Sequence, residues 1–262
     1  MTARDLNSDL AFAHRLADAA GAAILPHFRN LQTVANKATE GFDPVTIADK
    51  AAETAIRELI DIERPEDGIR GEEFPEKTSQ TGWSWTLDPI DGTRGFIAGT
   101  PTWCVLIALA FEGKPVLGLI DQPHTGERFS GLGAEGFLRT RAGRNPLAAS
   151  SIATLADAIL ATTDPYLFEK DQAEAFARVR RGARLTRYGM DAYAYGLLAA
   201  GGVDVVVESG LDLHDLHALI PVVKASGGVI SDWKGGEDFR SGNLLAAATP
   251  ALQAEVLALL EA

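Results

Sequence analysis

Residues 83–96 read WSWTLDPIDGTRGF, an apolar strand that runs into two aspartates three positions apart and then into a Gly-Thr turn. Proline fixes φ and has no N–H to donate, so the regular strand ladder ends where the carboxylates stand. Asp88 and Asp91 can then converge on one point, with the carbonyl of Ile90 between them. Oxygen ligands of this kind suit a hard cation such as Mg²⁺. Two aspartates alone would more often indicate a turn in which Asp caps the next helix.

Other acidic positions bear on that choice. Glu72 and Glu73 stand side by side in GIRGEEF, Asp49 ends VTIAD, and Asp215 opens the segment DLHALIPVVKASGG. Adjacent residues of a strand point to opposite sides, so one glutamate can bind a metal while the other orients water. Taken separately, an acidic pair is usually solvated surface and an Asp at a helix start is more often an N-cap.

In this order, the motifs resemble the inositol monophosphatase family of Mg²⁺-dependent phosphatases. That family carries G-E-E, then D-P-[IL]-D-G-[ST], then a late aspartate before an apolar helix and a Gly-Gly. The resemblance extends from about Val45 to Asp232. It implies two to three Mg²⁺ ions, held by Glu72, Asp88, the Ile90 carbonyl, Asp91 and Asp215. It also implies a homodimer, and catalytic residues around the attacking water, which are Glu72, Glu73, Asp49 and Thr93.

The chemistry of phosphate monoester hydrolysis agrees with this assignment. The phosphate must be neutralised, a water activated and the departing alkoxide stabilised, and metal ions between carboxylates can do all three. The amides of Gly92 and Thr93 would donate to phosphate oxygens, with Asp91 and Asp215 also near the substrate. The Thr93 hydroxyl, paired with Asp49, would hold the water in line, which suits a loose phosphoryl transition state.

Residues 184–210, together with DGTRGF, resemble the histidinol-phosphate phosphatases of this superfamily. The chain departs from that subgroup at LDLHDLHAL, where Leu213-His214 replace the usual Pro-Tyr or Trp before the aspartate. The resemblance implies dephosphorylation of L-histidinol phosphate to L-histidinol in histidine biosynthesis. Inositol 1-phosphate is the alternative substrate, followed by a nucleotide or sugar phosphate. A catalytically inactive module that binds a phosphorylated ligand is the alternative to an enzyme.

Histidinol phosphate carries an ammonium group and an imidazole, so its pocket should hold acids that face away from the metals. Asp191 and Glu208 are the candidates, since Glu208 closes the apolar strand VDVVVE and such strand ends point into a crevice. Arg187 would add a cation for the phosphate. The alternatives are a helix cap for Asp191, a solvated strand end for Glu208 and a surface charge for Arg187.

Composition limits the class of protein and its partners. The chain has 262 residues, 46% hydrophobic and 23% charged, which is typical of a folded globular protein. Its net charge of −12, without a Lys/Arg cluster, argues against nucleic acid as a partner. The apolar run around the single cysteine, Cys104, is too short to span a bilayer, and the acidic N-terminus does not resemble a signal peptide. We therefore expect a cytoplasmic protein with no membrane partner.

Hydrophobic periodicity predicts a layered α/β fold. Helices over 6–28 and 43–63 precede a mostly antiparallel sheet, and the second half alternates strands and helices around a smaller sheet. We expect an α-β-α-β-α sandwich of the sugar-phosphatase type. An N-terminal half, 1–145, would carry most metal ligands. A C-terminal half, 146–262, would carry Asp215 and the substrate-side residues, after a linker over 139–151.

Overall fold

The computed structural model describes residues 4–30, 35–36 and 44–262. In these ranges the helices are α1 (Leu6–Ile24), α2 (Ile47–Glu63), α3 (Thr93–Ala98), α4 (Lys170–Gly182), α5 (Tyr193–Ala199), α6 (Leu213–Ala225) and α7 (Pro250–Glu261). The strands are β1 (Ala35–Asn36), β2 (Pro44–Val45), β3 (Gly68–Gly71), β4 (Trp83–Asp91), β5 (Cys104–Phe111), β6 (Lys114–Gln122), β7 (Glu127–Leu132), β8 (Glu135–Thr140), β9 (Gly143–Pro146), β10 (Ile159–Thr162), β11 (Leu185–Tyr188), β12 (Val205–Glu208), β13 (Val229–Ser231) and β14 (Leu244–Ala247).

The strands form two large sheets and one short pair, β1 with β2. The first large sheet runs β3-β4-β5-β6-β7-β8-β9, and only its β3–β4 pair is parallel. The second runs β11-β10-β12-β14-β13, with β10 parallel to both of its neighbours and β14 antiparallel to both of its own. The predicted antiparallel first sheet and smaller second sheet are confirmed.

Three hydrophobic cores stack these sheets into five layers. Helices α1 and α2 cover one face of the first sheet, α5 and α6 lie between the sheets, and α4 and α7 cover the outer face of the second. Successive side chains of β5 point to opposite faces of the sheet and so enter two different cores. Val105 and Ile107 face α1 and α2, while Leu106 and Ala108 face α6. The α-β-α-β-α sandwich is therefore confirmed, and Cys104 of β5 is buried in the core between the first sheet and the middle helices.

Two glycines let the backbone of α6 lie directly on the first sheet. A Cβ at Gly118 of β6 would stand 2.1 Å from the carbonyl oxygen of Ala218, and one at Gly131 of β7 would stand 2.3 Å from that of Pro221. No side chain fits into that space. At the start of the helix, His217 Nδ1 lies 2.9 Å from Thr86 Oγ1 of β4. The glycines thus seat α6 on β6 and β7, and His217 joins it to β4.

The structure corrects two predicted boundaries. The first part of the expected linker over 139–151 is a hairpin, because β8 and β9 pair through Thr140 and Gly143, and the proposed division after residue 145 falls within β9. The second helix begins at Ile47 with Thr46 as its N-cap, whereas Asp43, its predicted start, lies outside the described residues. Among the helices of the described ranges, none has the length and hydropathy needed to cross a membrane.

Candidate active site

A cluster of carboxylates forms where β4 ends beside the start of α6. The pairing of β4 with β5 shifts register between Asp88 and Asp91, so the chain bulges at the proline between them. Carboxylate oxygens of Asp88, Asp91 and Asp215 consequently lie within 4.8 Å of one another. Asp88 Oδ1 also accepts a hydrogen bond from Ile90 N at 3.0 Å, which closes the turn around the cluster. The structure thus brings these predicted ligands together.

A second group overlaps the first and contains a residue that we did not predict. Single ligand atoms of Glu72, Asp88 and His214 lie within 4.8 Å of one another. Glu72 reaches the cluster because β3 is parallel to β4, so the carboxyl ends of both strands meet at one edge of the sheet. His214 Nε2 is 3.5 Å from Asp215 Oδ1. In the sequence, the feature that could have drawn attention to His214 is the departure from the subgroup pattern at Leu213-His214.

The electrostatics of the cluster call for a cation. Burial, together with the charges of Glu72, Asp91 and Asp215, raises the pKa of Asp88 well above its ordinary value. Burial and the carboxylates of Asp191 and Asp215 do the same for the pKa of Asp91, and burial raises the pKa of Asp215. Buried oxygens that repel one another are the donor set of a hard divalent cation. The residues present therefore fit Mg²⁺.

Asp49 and Thr93 do not pair as expected. Asp49 accepts hydrogen bonds from Thr46 N at 2.8 Å and Thr46 Oγ1 at 2.6 Å, which form the capping box of α2. Thr93 Oγ1 donates to the carbonyl of Ile90 at 3.1 Å. Burial raises the pKa of Asp49, and Glu72 adds a smaller contribution of the same sign. Asp49 is thus both a cap and a member of the acidic group.

The turn that carries Glu72 and Glu73 is held from behind by a buried glutamate. Glu53 of α2 accepts a hydrogen bond from Glu73 N at 2.8 Å and binds Arg57 Nε at 2.7 Å. A Cβ at Gly71 would stand 1.9 Å from Glu53 Oε1, so the glycine of the G-E-E motif makes room for this carboxylate. Sequence reasoning missed Glu53, which lies one helical turn after Asp49.

Asp191 lies against the turn of the D-G-T motif. Gly92 has a φ of 82°, and a Cβ there would stand 3.1 Å from both Cβ and Cγ of Asp191, so conformation and space both require glycine. Ala192 N donates to Asp91 Oδ2 at 2.6 Å, which ties the two segments together. The side chain of Asp191 does not cap α5. Burial raises its pKa to about 6, against the opposing effect of Arg94.

Glu208 is buried rather than solvated. It is 5% exposed and accepts hydrogen bonds from Thr163 N at 2.7 Å and Thr163 Oγ1 at 3.0 Å. Burial raises its pKa to about 8 despite these bonds. A small cavity of about 20 Å³ joins Glu208 to the cluster; its lining includes Asp91, Asp191, Tyr195 and Asp215.

A larger cavity of about 760 Å³ opens outward from Asp191 and Thr163. Its walls combine aromatic and charged groups, among them Arg94, Asp164, Tyr166, Phe176, Arg180 and Tyr188. Arg187 is not among the lining residues. It is exposed on β11, the edge strand of the second sheet. The cation that the structure places beside the cluster is instead Arg94, which follows Thr93 in the D-G-T motif.

Comparisons with known proteins agree with this geometry. The sequence profile of the inositol monophosphatase family matches residues 5–262. The chloroplastic bifunctional phosphatase IMPL2 of Arabidopsis thaliana is 42% identical over 233 residues, 88% of this chain and 66% of that protein. A histidinol-phosphatase of Chlorobaculum parvum is 35% identical over 256 residues, 97% of this chain and 96% of that one. A solved inositol monophosphatase from Zymomonas mobilis is 40% identical, with a TM-score of 0.87 over 99% of this chain and 100% of that one.

Proposed function

This chain belongs to the inositol monophosphatase family, whose members are metal-dependent phosphoric monoester hydrolases, and we propose that its own substrate is L-histidinol phosphate. The observation that carries the proposal is the position of Asp191 and Glu208. Both are acids that border the small cavity next to the metal cluster. A substrate that bears a cation close to its phosphate would neutralise Asp191 and would favour the ionised form of Glu208, whose pKa is raised to about 8.

The covalent structure of histidinol phosphate fits that arrangement. Its ammonium group is attached only two carbons from the ester oxygen, so it must lie near whatever holds the phosphate. Asp191 contacts the turn at Gly92 and lines both cavities. A carboxylate in this position would accept a charge-assisted hydrogen bond from the ammonium.

The larger cavity suits the imidazole end of the same molecule. Tyr188 and Phe176 offer apolar ring surface, and Asp164 offers an acceptor for an imidazole N–H. Inositol would present hydroxyls to these groups and would leave the charge of Asp191 uncompensated. The electrostatics of the pocket therefore favour the amine over the polyol.

In the proposed mechanism, two to three Mg²⁺ ions would be held by Glu72, Asp88, the Ile90 carbonyl, Asp91 and Asp215. Mg²⁺ bound there would supply charge neutralisation of the phosphate and activation of a water. Glu73 and Asp49 orient the attacking water, and the amides of Gly92 and Thr93 donate to phosphate oxygens. The Thr93 hydroxyl donates a hydrogen bond to the Ile90 carbonyl. This bond would hold the carbonyl in the orientation in which it acts as a metal ligand.

The similarities to known proteins support the proposal and also name the competing substrate. Histidinol-phosphatases of Chlorobaculum parvum and Streptomyces coelicolor are 35% and 36% identical to this chain over most of their lengths. The structural neighbour from Zymomonas mobilis, described as an inositol monophosphatase, is 40% identical, and this observation makes inositol 1-phosphate the second candidate.

A side-by-side assay of phosphate release tests the choice. Histidinol phosphate, inositol 1-phosphate and an adenosine bisphosphate are compared at saturating Mg²⁺. We expect the highest kcat/KM for histidinol phosphate. A tenfold or greater preference for inositol 1-phosphate would overturn the substrate assignment and leave the phosphatase assignment intact.

The remaining expectations from the family resemblance are also proposals. They are a homodimer, a place in histidine biosynthesis and a cytoplasmic location. Light scattering tests the first, and a monomer mass would contradict it.

A further inference from the structure

His214 lies at the edge of the acidic cluster, on the first turn of α6. One of its ring nitrogens is within 4.8 Å of carboxylate oxygens of Glu72 and Asp88, and its Nε2 is 3.5 Å from Asp215 Oδ1. The side chain is 22% exposed. The ring therefore faces three carboxylates from a partly sheltered position.

We infer that His214 is a ligand of one ion of the cluster, together with Glu72 and Asp88. The inference rests on the metal-dependent function proposed above and adds a nitrogen donor to it. One metal position would then be mixed, with nitrogen and oxygen ligands, whereas the neighbouring position at Asp88, Asp91 and Asp215 has oxygen ligands only.

The distances allow a common ion. With bonds of about 2.0 to 2.2 Å, two ligands on opposite sides of an ion lie about 4.0 to 4.4 Å apart, and adjacent ligands lie about 3 Å apart. Three atoms that are all within 4.8 Å of one another meet this condition after small side-chain rotations. Because Asp88 belongs to both groups, the two metal positions are neighbours.

The donor type changes which ion the position prefers. Imidazole suits borderline ions such as Zn²⁺, whereas carboxylates, carbonyls and water suit Mg²⁺. The position at His214 should therefore bind a transition-metal ion more tightly than an all-oxygen position does. His217, three residues later, has no such role, since its Nδ1 lies 2.9 Å from the Thr86 hydroxyl and it belongs to neither ligand group.

The competing role for His214 is an ion pair that only positions Asp215. The two roles differ in whether a nitrogen touches the metal, and Mn²⁺ serves as a paramagnetic probe of that contact. The metal-free protein is loaded with Mn²⁺, and its pulsed electron paramagnetic resonance spectrum is recorded. We expect the ¹⁴N modulation of a coordinated imidazole in the wild type and its loss in His214→Gln. The matched control His27→Gln, on the loop after α1, should keep the signal.

Affinities give a second readout. In His214→Gln the Zn²⁺ affinity should fall tenfold or more, while the Mg²⁺ affinity should change less than threefold. Absence of ¹⁴N modulation in the wild type overturns the inference, as does a signal that survives in His214→Gln. If that variant does not fold, the wild-type spectrum decides, compared with that of His27→Gln. Phosphate release by the wild type in Mg²⁺ is measured on the same preparation, and its absence would count against the proposed function rather than against His214.

Discussion

Asp191 combines an unusual backbone with a position next to the phosphate turn. Its φ of 47° is in the left-handed region, which asparagine also tolerates, so Asp191→Asn removes the charge without straining the chain. We expect kcat/KM for histidinol phosphate to fall by about one to two decades, the effect of losing a charge-assisted hydrogen bond of about 1.5 to 3 kcal/mol. Hydrolysis of inositol 1-phosphate should hardly change.

Steady-state assays with both substrates check this prediction. The control is Asp171→Asn, an exposed acid in the first turn of α4, which should leave both rates as in the wild type. An equal loss with the two substrates would show that Asp191 does not bind the ammonium group.

Glu208 should make stability depend on pH. Its pKa rises from 4.5 to about 8 on folding, so between these values the folded protein holds a proton that the unfolded chain has lost. The stabilisation is complete below pH 4.5 and is lost as pH rises through 8, with a slope of up to about 1.4 kcal/mol per pH unit. Glu208→Gln should reduce the slope because glutamine does not ionise, and its side-chain oxygen can still accept from Thr163 N.

Urea unfolding of the metal-free protein at pH 5.5, 6.5 and 7.5 measures that slope. Asp88, Asp91, Asp191 and Asp215 also have raised pKa values, so part of the slope should persist in the variant. An unchanged slope would mean that Glu208 is ionised in the folded protein.

At the residue scale, the site residues that lie within one local motif could be predicted from the sequence. Asp88, Ile90 and Asp91 share one turn, so their convergence follows from the proline between them. Contacts between distant segments could not be predicted reliably. Asp49 pairs with the neighbouring Thr46 instead of the distant Thr93, and the contact of the buried Glu53 with Glu73, twenty residues away, was missed. Arg187 was proposed as a cation for the phosphate, with a surface charge as the alternative, and strand β11 leaves it exposed at a sheet edge.

Among the elements, α6 connects the fold to the cluster. Gly131→Ala would drive a methyl group against the carbonyl of Pro221. We expect a loss of about 1 to 3 kcal/mol in unfolding free energy, the usual cost of overpacking. The Mg²⁺ affinity should also fall, because a displaced α6 moves Asp215 away from Asp88.

Chemical denaturation and calorimetric Mg²⁺ titration check both parts. The control is Gly202→Ala, whose added Cβ would have no neighbour nearer than 3.5 Å, and we expect it to be close to neutral. A destabilised Gly131→Ala variant with wild-type Mg²⁺ affinity would contradict the second part, because it would show that the packing of α6 does not control the geometry of the cluster.

Elements with strong periodicity or an apolar run were predictable, and several short strands were not. Periodicity predicts a helix over 213–225, which are the observed limits of α6, and β4, β5 and β6 were found from their apolar runs. Strands β3, β7, β9, β13 and β14 were not identified. All five have three to six residues, and their pairing depends on distant partners rather than on local pattern. The parallel β3–β4 pair, which delivers Glu72, is of this kind.

At the scale of the molecule, metal binding should stabilise the fold. The ligands come from β3, β4 and α6, so the unfolded chain does not preform the site. Each tenfold rise in Mg²⁺ above its Kd should add about 1.4 kcal/mol to the unfolding free energy. The effect should be larger at pH 8 than at pH 6, because protons compete for Asp88, Asp91 and Asp215, whose pKa values are raised.

Thermal unfolding across a Mg²⁺ series at both pH values, with EDTA as the zero point, measures this coupling. Asp88→Asn should abolish most of it and lower turnover by roughly 10³-fold. In EDTA the same variant should be more stable than the wild type, because a buried like charge is gone. Near-normal turnover of Asp88→Asn at saturating Mg²⁺ would contradict the assignment of the cluster.

The two sides of the cleft come from different layers. The cluster belongs to the first sheet and α6, whereas much of the wall of the larger cavity, including Asp164, Tyr166, Phe176 and Tyr188, comes from the second sheet, α4 and the loop between them. Mutations in that wall can accumulate without touching a metal ligand. A lineage with this architecture can therefore change which alcohol it releases while its hydrolytic machinery is inherited intact, and directed evolution of new substrates should begin at residues 164–177 and 188–189.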